Sequence, residues 1–225
     1  MKAKSAGLKL KRPTGNGAGK KIRMSGAERR EQILSQAAEF FSEYGLTGQT
    51  RSLAARCGIS QRLLYRFFPT KSALLAEVYA RTVLGPFKGD WFADLTDRSK
   101  SVEERLIRFY LEYFRTVLTR RWLRLFLYSS LAEADMAPNY ISAIITRLME
   151  TIVTETALEQ DVELPDDRAL VHELGWTLHG AVSHFAIRKH LYHASHDVPE
   201  ADIIRIHVGA FVGGFKAMVG AARRC

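Results

Sequence analysis

The sequence CGISQRLLYRFFPTKSALL, Cys57–Leu75, contains the signals for a sharp turn and for a short helix that follows it. Gly58 provides the backbone freedom that such a turn requires. Ser60 is a favourable N-cap for a helix over residues 61–68. Pro69 ends that helix, because a proline disfavours helical geometry in the residue before it. The stretch therefore predicts two short helices that meet at a tight corner.

The helix over residues 61–68 has two different faces. At about 100° per residue, Leu64 and Phe68 share one face, while Arg62 and Arg66 lie on roughly the opposite one. A helix this short is unstable alone, so its apolar face must pack on a neighbour, for which residues 51–57 are the candidate. This arrangement is typical of a helix-turn-helix, whose second helix enters the major groove of DNA. A helical corner that merely carries a surface pair of arginines is the alternative.

A wider set of residues resembles the N-terminal module of TetR-family (tetracycline-repressor-like) transcriptional regulators. The matching residues are Gly58-Ile59-Ser60, Leu64-Tyr65, Phe68-Pro69-Thr70-Lys71 and Leu74-Leu75, and the resemblance covers roughly residues 32–79. The sequence departs from the family pattern at Gln49-Thr50 and Gln61-Arg62, where DNA is touched. The resemblance implies a dimeric all-α transcription factor that has an N-terminal helix-turn-helix domain and a helical ligand-binding and dimerisation domain.

We expect the DNA-contacting side chains to lie on the two helices of the turn and at the start of the next helix. Arg62 and Arg66 are candidates for base or phosphate contact. Lys71 lies in the first turn of a helix, where free N–H groups favour a phosphate. The predicted DNA-binding residues are Thr50, Arg51, Gln61, Arg62, Leu63, Tyr65, Arg66 and Lys71.

The basic charge is concentrated in the first part of this 225-residue chain, whose formal net charge is +9. Residues 1–23 contain eight Lys or Arg and no acid, and residues 24–86 contain eight against five. Residues 87–225 contain seventeen against nineteen, so a polyanionic partner is expected for the first part only.

Three regions are predicted from this charge distribution and from the break at Gly85-Pro86. Residues 1–24 are expected to form a disordered basic arm, which either follows DNA phosphates or is simply a solvated tail. Residues 25–86 form the helix-turn-helix domain. Residues 87–225 form the effector-binding and dimerisation domain.

The helical pattern continues to the end of the chain, with about nine helices and no strand. Ser25-Gly-Ala-Glu28 and Ser101-Val-Glu-Glu104 have the spacing of capping boxes, and Asp197-Val-Pro-Glu200 is expected to cap the last helix. Further helices are predicted over residues 72–84, over residues 120–132, from Pro138 onward and from Pro165-Asp166 to about His190. Gly89-Asp90 is interpreted as a break.

Aromatic side chains recur on the helices of the second domain. They indicate either a plain core or the wall of a mostly apolar effector cavity, which the family resemblance implies. The predicted effector-binding residues are Phe109, Tyr113, Trp122, Phe126, Trp176 and His179.

The last two helices are the expected dimer interface. Gly209, Gly213 and Gly214 occur among large apolar residues of the last helix, where each costs about 1 kcal/mol relative to alanine. Close approach of another helix would offset this cost. The resemblance implies that the other helices belong to a second subunit, and ordinary packing within one chain is the alternative.

No pattern indicates catalysis, a metal or a cofactor. His190, His193 and His196 have a poor spacing for metal binding and no cysteine or carboxylate cluster beside them. No phosphate-binding loop or nucleophile elbow is present, so we predict a protein that is not an enzyme and has no cofactor. Neither Cys57 nor Cys225 requires an oxidising compartment, and no membrane span is expected, so a cytoplasmic location is predicted.

The sequence therefore predicts a sequence-specific DNA-binding regulator, a repressor that a small apolar effector releases from its double-stranded operator. Two alternatives stay open. One is a constitutive or architectural DNA-binding protein without an effector, and the other is an all-α enzyme.

Overall fold

The computed structural model describes residues 24–132, 144–194 and 197–224. Within these ranges the chain forms ten α-helices, a π-helical segment of five residues and no strand, so the predicted all-α fold is confirmed. The helices are α1 Gly26–Tyr44, α2 Thr50–Arg56, α3 Gln61–Phe67, α4 Lys71–Tyr79, α5 Asp90–Leu95, α6 Val102–Thr116, α7 Arg120–Leu131, α8 Thr146–Gln160, α9 Arg168–His190 and α10 Glu200–Ala222; the π segment is Ala80–Leu84.

The predicted helix starts are mostly where the sequence placed them. Both capping boxes form, with the side chains of Ser25 and Ser101 each accepting a hydrogen bond from the backbone of the glutamate three residues later. Ser60 and Thr70 cap α3 and α4 in the same way. The expected cap at Asp197 is wrong. Pro199 occupies the N-cap of α10 and offers no side-chain cap. The acidic residues in the first turn interact favourably with the free N–H groups instead.

Two elements differ from the prediction. The helix predicted over residues 72–84 is divided, because its last turns form the π segment, in which the Gly85 N–H bonds the Ala80 carbonyl at 2.9 Å. The break predicted at Gly89-Asp90 is the start of α5, whose Trp91 and Leu95 are buried one turn apart. The helix start predicted at Pro138 lies outside the described residues.

The apolar core is continuous from α1 to α10. The first helices pack around α1, which contacts α2, α4 and α7. Helices α6, α8, α9 and α10 pack against one another and form the second half. An ion-pair network centred on the buried Arg105 joins α6 to α8, in which Arg105 donates to Glu155 and Glu159 of α8 and to the Leu95 carbonyl of α5.

Helix α7 joins the two halves, because it contacts α1 and the π segment on one side and α9 on the other. The Arg124 guanidinium donates to the carbonyls of Ser42 and Glu43, which are free at the end of α1, and to the Tyr128 hydroxyl. It thus satisfies backbone acceptors that a helix end leaves without partners.

Helix α10 is long and apolar enough, by length and composition alone, to cross a membrane. No membrane span is expected from the sequence, and one such helix among the described residues is weak evidence for a span. Length and composition do not separate a membrane span from an interface helix or a core helix, and α10 packs on α6, α8 and α9. Much of its surface is not buried within the described chain, and Ile206 is 61% exposed.

Candidate nucleic-acid interface and apolar cavity

The corner between α2 and α3 has the geometry that its sequence predicts. Gly58 adopts a φ of 66°, which residues other than glycine rarely adopt. Leu64 and Phe68 are buried, as are Leu53 and Ala54 of α2, so the apolar face of α3 rests on its neighbour. Helix α3 is therefore held in place while its opposite face remains exposed.

Hydrogen bonds among three predicted DNA-binding residues fix α3 against the start of α2. The Thr50 hydroxyl lies 2.9 Å from the Tyr65 hydroxyl, and the Gln61 amide donates to the Thr50 oxygen at 3.1 Å. Thr50 is only 7% exposed, whereas Gln61 and Tyr65 are open to solvent. Thr50 therefore orients the recognition helix and presents little surface of its own.

Three arginines on this surface form no ion pair within the described chain, unlike most arginines of the first four helices and of the π segment. Arg51, Arg62 and Arg66 are exposed and form no ion pair with any carboxylate of the residues described. The neighbouring arginines are engaged within the chain: Arg29 with Gln32, Arg30 with Glu77, Arg56 with Glu43 and Arg81 with Glu31. Within the first four helices, the exposed arginines that have no carboxylate partner among the described residues are thus the three on α2 and α3.

The remaining two predicted DNA-binding residues border this surface. Leu63 is half-buried on α3. Lys71 begins α4, and its ammonium lies 5.8 Å from the centre of the Phe41 ring, so its position is fixed by a cation–π contact. All eight predicted DNA-binding residues therefore lie on α2, α3 or the first turn of α4.

A cavity of about 110 Å³ lies in the second half of the chain. Five of the six predicted effector-binding residues line it, and Phe109 is one layer further out, stacked on Tyr113. The lining residues are Tyr113, Leu118, Trp122, Leu123, Phe126, Leu127, Ile145, Trp176, His179, Ser183 and Ile187. The leucines and isoleucines were not predicted, because aliphatic residues at helical spacing do not distinguish a cavity wall from a core.

His179 is the buried polar side chain of the cavity wall. Its Nδ1 lies 3.4 Å from the Tyr110 hydroxyl, and its ring lies beside those of Tyr113 and Trp176. Burial among these rings lowers the pKa of His179 from 6.5 to about 4. The imidazole is therefore neutral at physiological pH.

Trp122 connects the cavity to the end of the first four helices. Its ring stacks on Phe126 in the cavity wall, with the two planes 13° apart. Its indole Nε1 donates to the Val83 carbonyl of the π segment at 3.1 Å. No sequence signal indicated this bond, since it joins residues on separate helices.

Within the ranges that the structure describes, no three His, Cys, Asp or Glu side chains form a group that could hold a metal ion. His190 and His193 lie in these ranges, whereas His196 lies outside the described residues.

The comparisons with known proteins agree with this geometry. Residues 33–78 match the family model of bacterial regulatory proteins, tetR family. No curated protein matches the sequence significantly.

Solved structures share the fold of nearly the whole chain. A TetR-like transcriptional regulator from Rhodococcus sp. RHA1 superposes with a TM-score of 0.64 at 21% identity, covering 87% of this chain and 99% of its own. A TetR-family protein from Mesorhizobium loti has a TM-score of 0.59 at 16% identity, covering 87% and 98%. Another from Streptomyces coelicolor has 0.56 at 20%, covering 89% of each chain. The resemblance to TetR-family regulators is confirmed, and it supports a role in DNA-binding transcription regulation.

Proposed function

Because this chain carries a tetR-family DNA-binding module on a TetR-like fold, we propose that it is a sequence-specific repressor, released from its operator by a small apolar effector. The observation that carries the DNA-binding part is the set of exposed, unpaired arginines on α2 and α3. Guanidinium groups without a protein carboxylate are available for guanine edges and phosphates. The hydrogen bonds of Thr50 hold the helix that presents two of these arginines.

A homodimer is part of the proposal, with α9 and α10 as the interface. A side chain added at Gly213 or Gly214 would meet no atom of the described chain within 4 Å, so packing within the chain does not explain these glycines. The exposed Ile206 lies on the same helix. A second copy that packs closely on this surface would explain both features. Each subunit then places α3 in one half-site, and half-sites repeat about every 34–36 Å along the groove.

The proposal that an effector releases the DNA rests on the position of α7, which contacts both the cavity and the end of α1. One side of this helix lines the cavity through Trp122 and Phe126, and the other side holds the end of α1 through Arg124. A ligand that displaces α7 therefore acts directly on the first four helices. If the separation of the two α3 helices changes, both half-sites are no longer contacted together. The ligand must bind the released state more tightly, or it shifts nothing.

The DNA-binding part is tested by selecting bound duplexes from a random pool and then measuring the Arg62→Ala variant on the selected site. We expect Arg62→Ala to weaken the selected site by about 1–3 kcal/mol and random DNA by less, as for a guanine contact. Arg115→Ala, at an exposed arginine of α6, is the control and should change neither affinity. Equal binding to all duplexes by the unaltered protein would favour an architectural DNA-binding protein instead.

The effector part is tested by a thermal-shift screen of lipophilic compounds. A ligand that binds only the folded chain stabilises it by about 2.7 kcal/mol at a hundredfold excess over Kd. At least one stabiliser should also weaken operator binding, since coupling between two sites is reciprocal. Trp176→Ala should abolish the shift and spare DNA binding, while Glu173→Gln, an exposed change on the same helix, should alter neither. If every stabiliser left the DNA affinity unchanged, the effector switch would be contradicted, and the protein would be interpreted as a constitutive DNA-binding protein.

A further inference from the structure

The size and walls of the cavity restrict the ligand that it can hold. Its volume of about 110 Å³ is smaller than that of an engineered apolar cavity of about 150 Å³ that binds benzene. Sites for drug-sized molecules are larger, about 300–1,000 Å³. The stacked rings of Trp122 and Phe126 form one wall, and Trp176 belongs to another. The space is therefore large enough for at most a single ring, and a fused polycyclic molecule requires the walls to move.

The charge of the walls restricts the ligand further. No Asp, Glu, Lys or Arg is present among the lining residues that the structure describes. His179, which burial keeps neutral at physiological pH, offers a hydrogen bond but no countercharge. Ser183 lies one helical turn further along α9, so the two polar groups occupy the same edge of the cavity. An ion buried here would have no partner of opposite charge, and burial of an unpaired ion is strongly unfavourable.

We infer that the cavity selects an uncharged, single-ring molecule that carries one hydrogen-bonding group. This inference deepens the proposed function, since it names the chemical class of the effector. The ring lies between the aromatic walls, and its polar group lies at the edge formed by His179 and Ser183.

Three compounds that share one ring test the inference: benzyl alcohol, benzoate and benzylamine, which at pH 7 are neutral, anionic and cationic. Two of the chain's three tryptophans, Trp122 and Trp176, line the cavity, so tryptophan fluorescence reports occupancy directly. Benzyl alcohol should change the fluorescence and raise the Tm. Benzoate and benzylamine should bind at least about tenfold more weakly. Binding of either ion as tight as that of benzyl alcohol, or no binding of benzyl alcohol, would overturn the inference.

The polar edge is tested by comparing benzyl alcohol with toluene, which lacks the hydroxyl. The unaltered chain should prefer the alcohol. His179→Leu should remove this preference and keep toluene binding, whereas His179→Gln, which keeps a hydrogen-bonding group, should restore part of it. If His179→Leu does not fold, Ser183→Ala provides the same comparison at the same edge. If the folded variants still preferred benzyl alcohol over toluene to the same degree, the orientation assigned to the ligand would be contradicted.

DNA binding by the same samples separates this inference from the proposed function. Selective binding of benzyl alcohol with unchanged operator affinity would support the ligand class and contradict the effector switch. Ligand-dependent release of DNA by charged compounds would support the switch and contradict the ligand class.

Discussion

At the scale of single residues, His179 ties the stability of the fold to pH. An unfolded chain protonates this imidazole below about pH 6.5, whereas the folded chain keeps it neutral until about pH 4. Because its folded pKa is lowered, the unfolded state binds more protons between these values, and the free energy of unfolding falls as the pH falls. The full effect is on the order of 3 kcal/mol.

We therefore predict that His179→Gln makes the free energy of unfolding less dependent on pH between 6.5 and 4. The measurement is urea denaturation at several pH values, compared with the unaltered chain. Thr177→Ser, at an exposed position of the same helix that does not titrate, is the control and should give a curve parallel to that of the unaltered chain. The same parallel curve for His179→Gln would show that this imidazole titrates normally.

Individual side-chain roles were only partly predictable. The exposed face of α3 follows from the 3.6-residue period, because Leu64 and Phe68 fix which side is buried. The bond between Thr50 and Tyr65 does not, because it joins residues fifteen positions apart through the geometry of the corner. Both residues were predicted to contact DNA, and the structure shows in addition that each orients the other.

At the scale of helices, α7 fixes α1 through Arg124 far more firmly than through Arg121, which lies three residues earlier. Arg124 satisfies two terminal carbonyls of α1, whereas Arg121 forms an exposed ion pair with Glu39. Exposed ion pairs contribute about 0–1 kcal/mol, and unmade hydrogen bonds of partly buried groups cost more.

We predict that Arg124→Gln accelerates amide hydrogen exchange at the end of α1 and reduces the ligand-induced loss of DNA affinity, while ligand binding itself persists. Arg121→Gln is the matched control and should leave both quantities close to those of the unaltered chain. Equal effects of the two substitutions would show that α7 acts through general contact with α1 rather than through the Arg124 cap.

Helix starts were easier to predict than helix contacts or helix type. Capping residues act within three positions of the chain, so Ser25, Ser60, Thr70 and Ser101 could be recognised directly. Helix α5 was missed because Gly89-Asp90 resembles a turn, although Trp91 and Leu95 have helical spacing. The π segment has no comparable local signal, because it packs against α7, which lies far from it in the sequence.

At the scale of the whole molecule, the open space at Gly213 allows an experiment to distinguish an α10 surface that faces solvent from one that a second copy covers. If the surface of α10 faces solvent, Gly213→Ala should stabilise the chain by about 1 kcal/mol through helix propensity alone, and Gly213→Leu should be tolerated. If a second copy packs there, Gly213→Leu should give monomers that bind single half-sites weakly.

We predict the second outcome, measured by sedimentation at micromolar concentration. Gly26→Leu, at a glycine that also has no neighbour within 4 Å, is the control and should remain dimeric. A monomeric unaltered chain would contradict both the interface and the simultaneous occupation of two half-sites.

The π segment bears on how a change in chain length would rotate the helices before it relative to the helices after it. A π turn holds one residue more than an α turn and is equivalent to a single inserted residue. Since the extra residue is absorbed within the segment, deletion of Thr82 would restore a regular α turn and leave the orientation of α4 relative to Trp122 nearly unchanged, whereas deletion of one residue from α4 itself would rotate the helices before it by about 100°. The loss of one residue is therefore better tolerated between Ala80 and Leu84 than in the α-helix that precedes this segment.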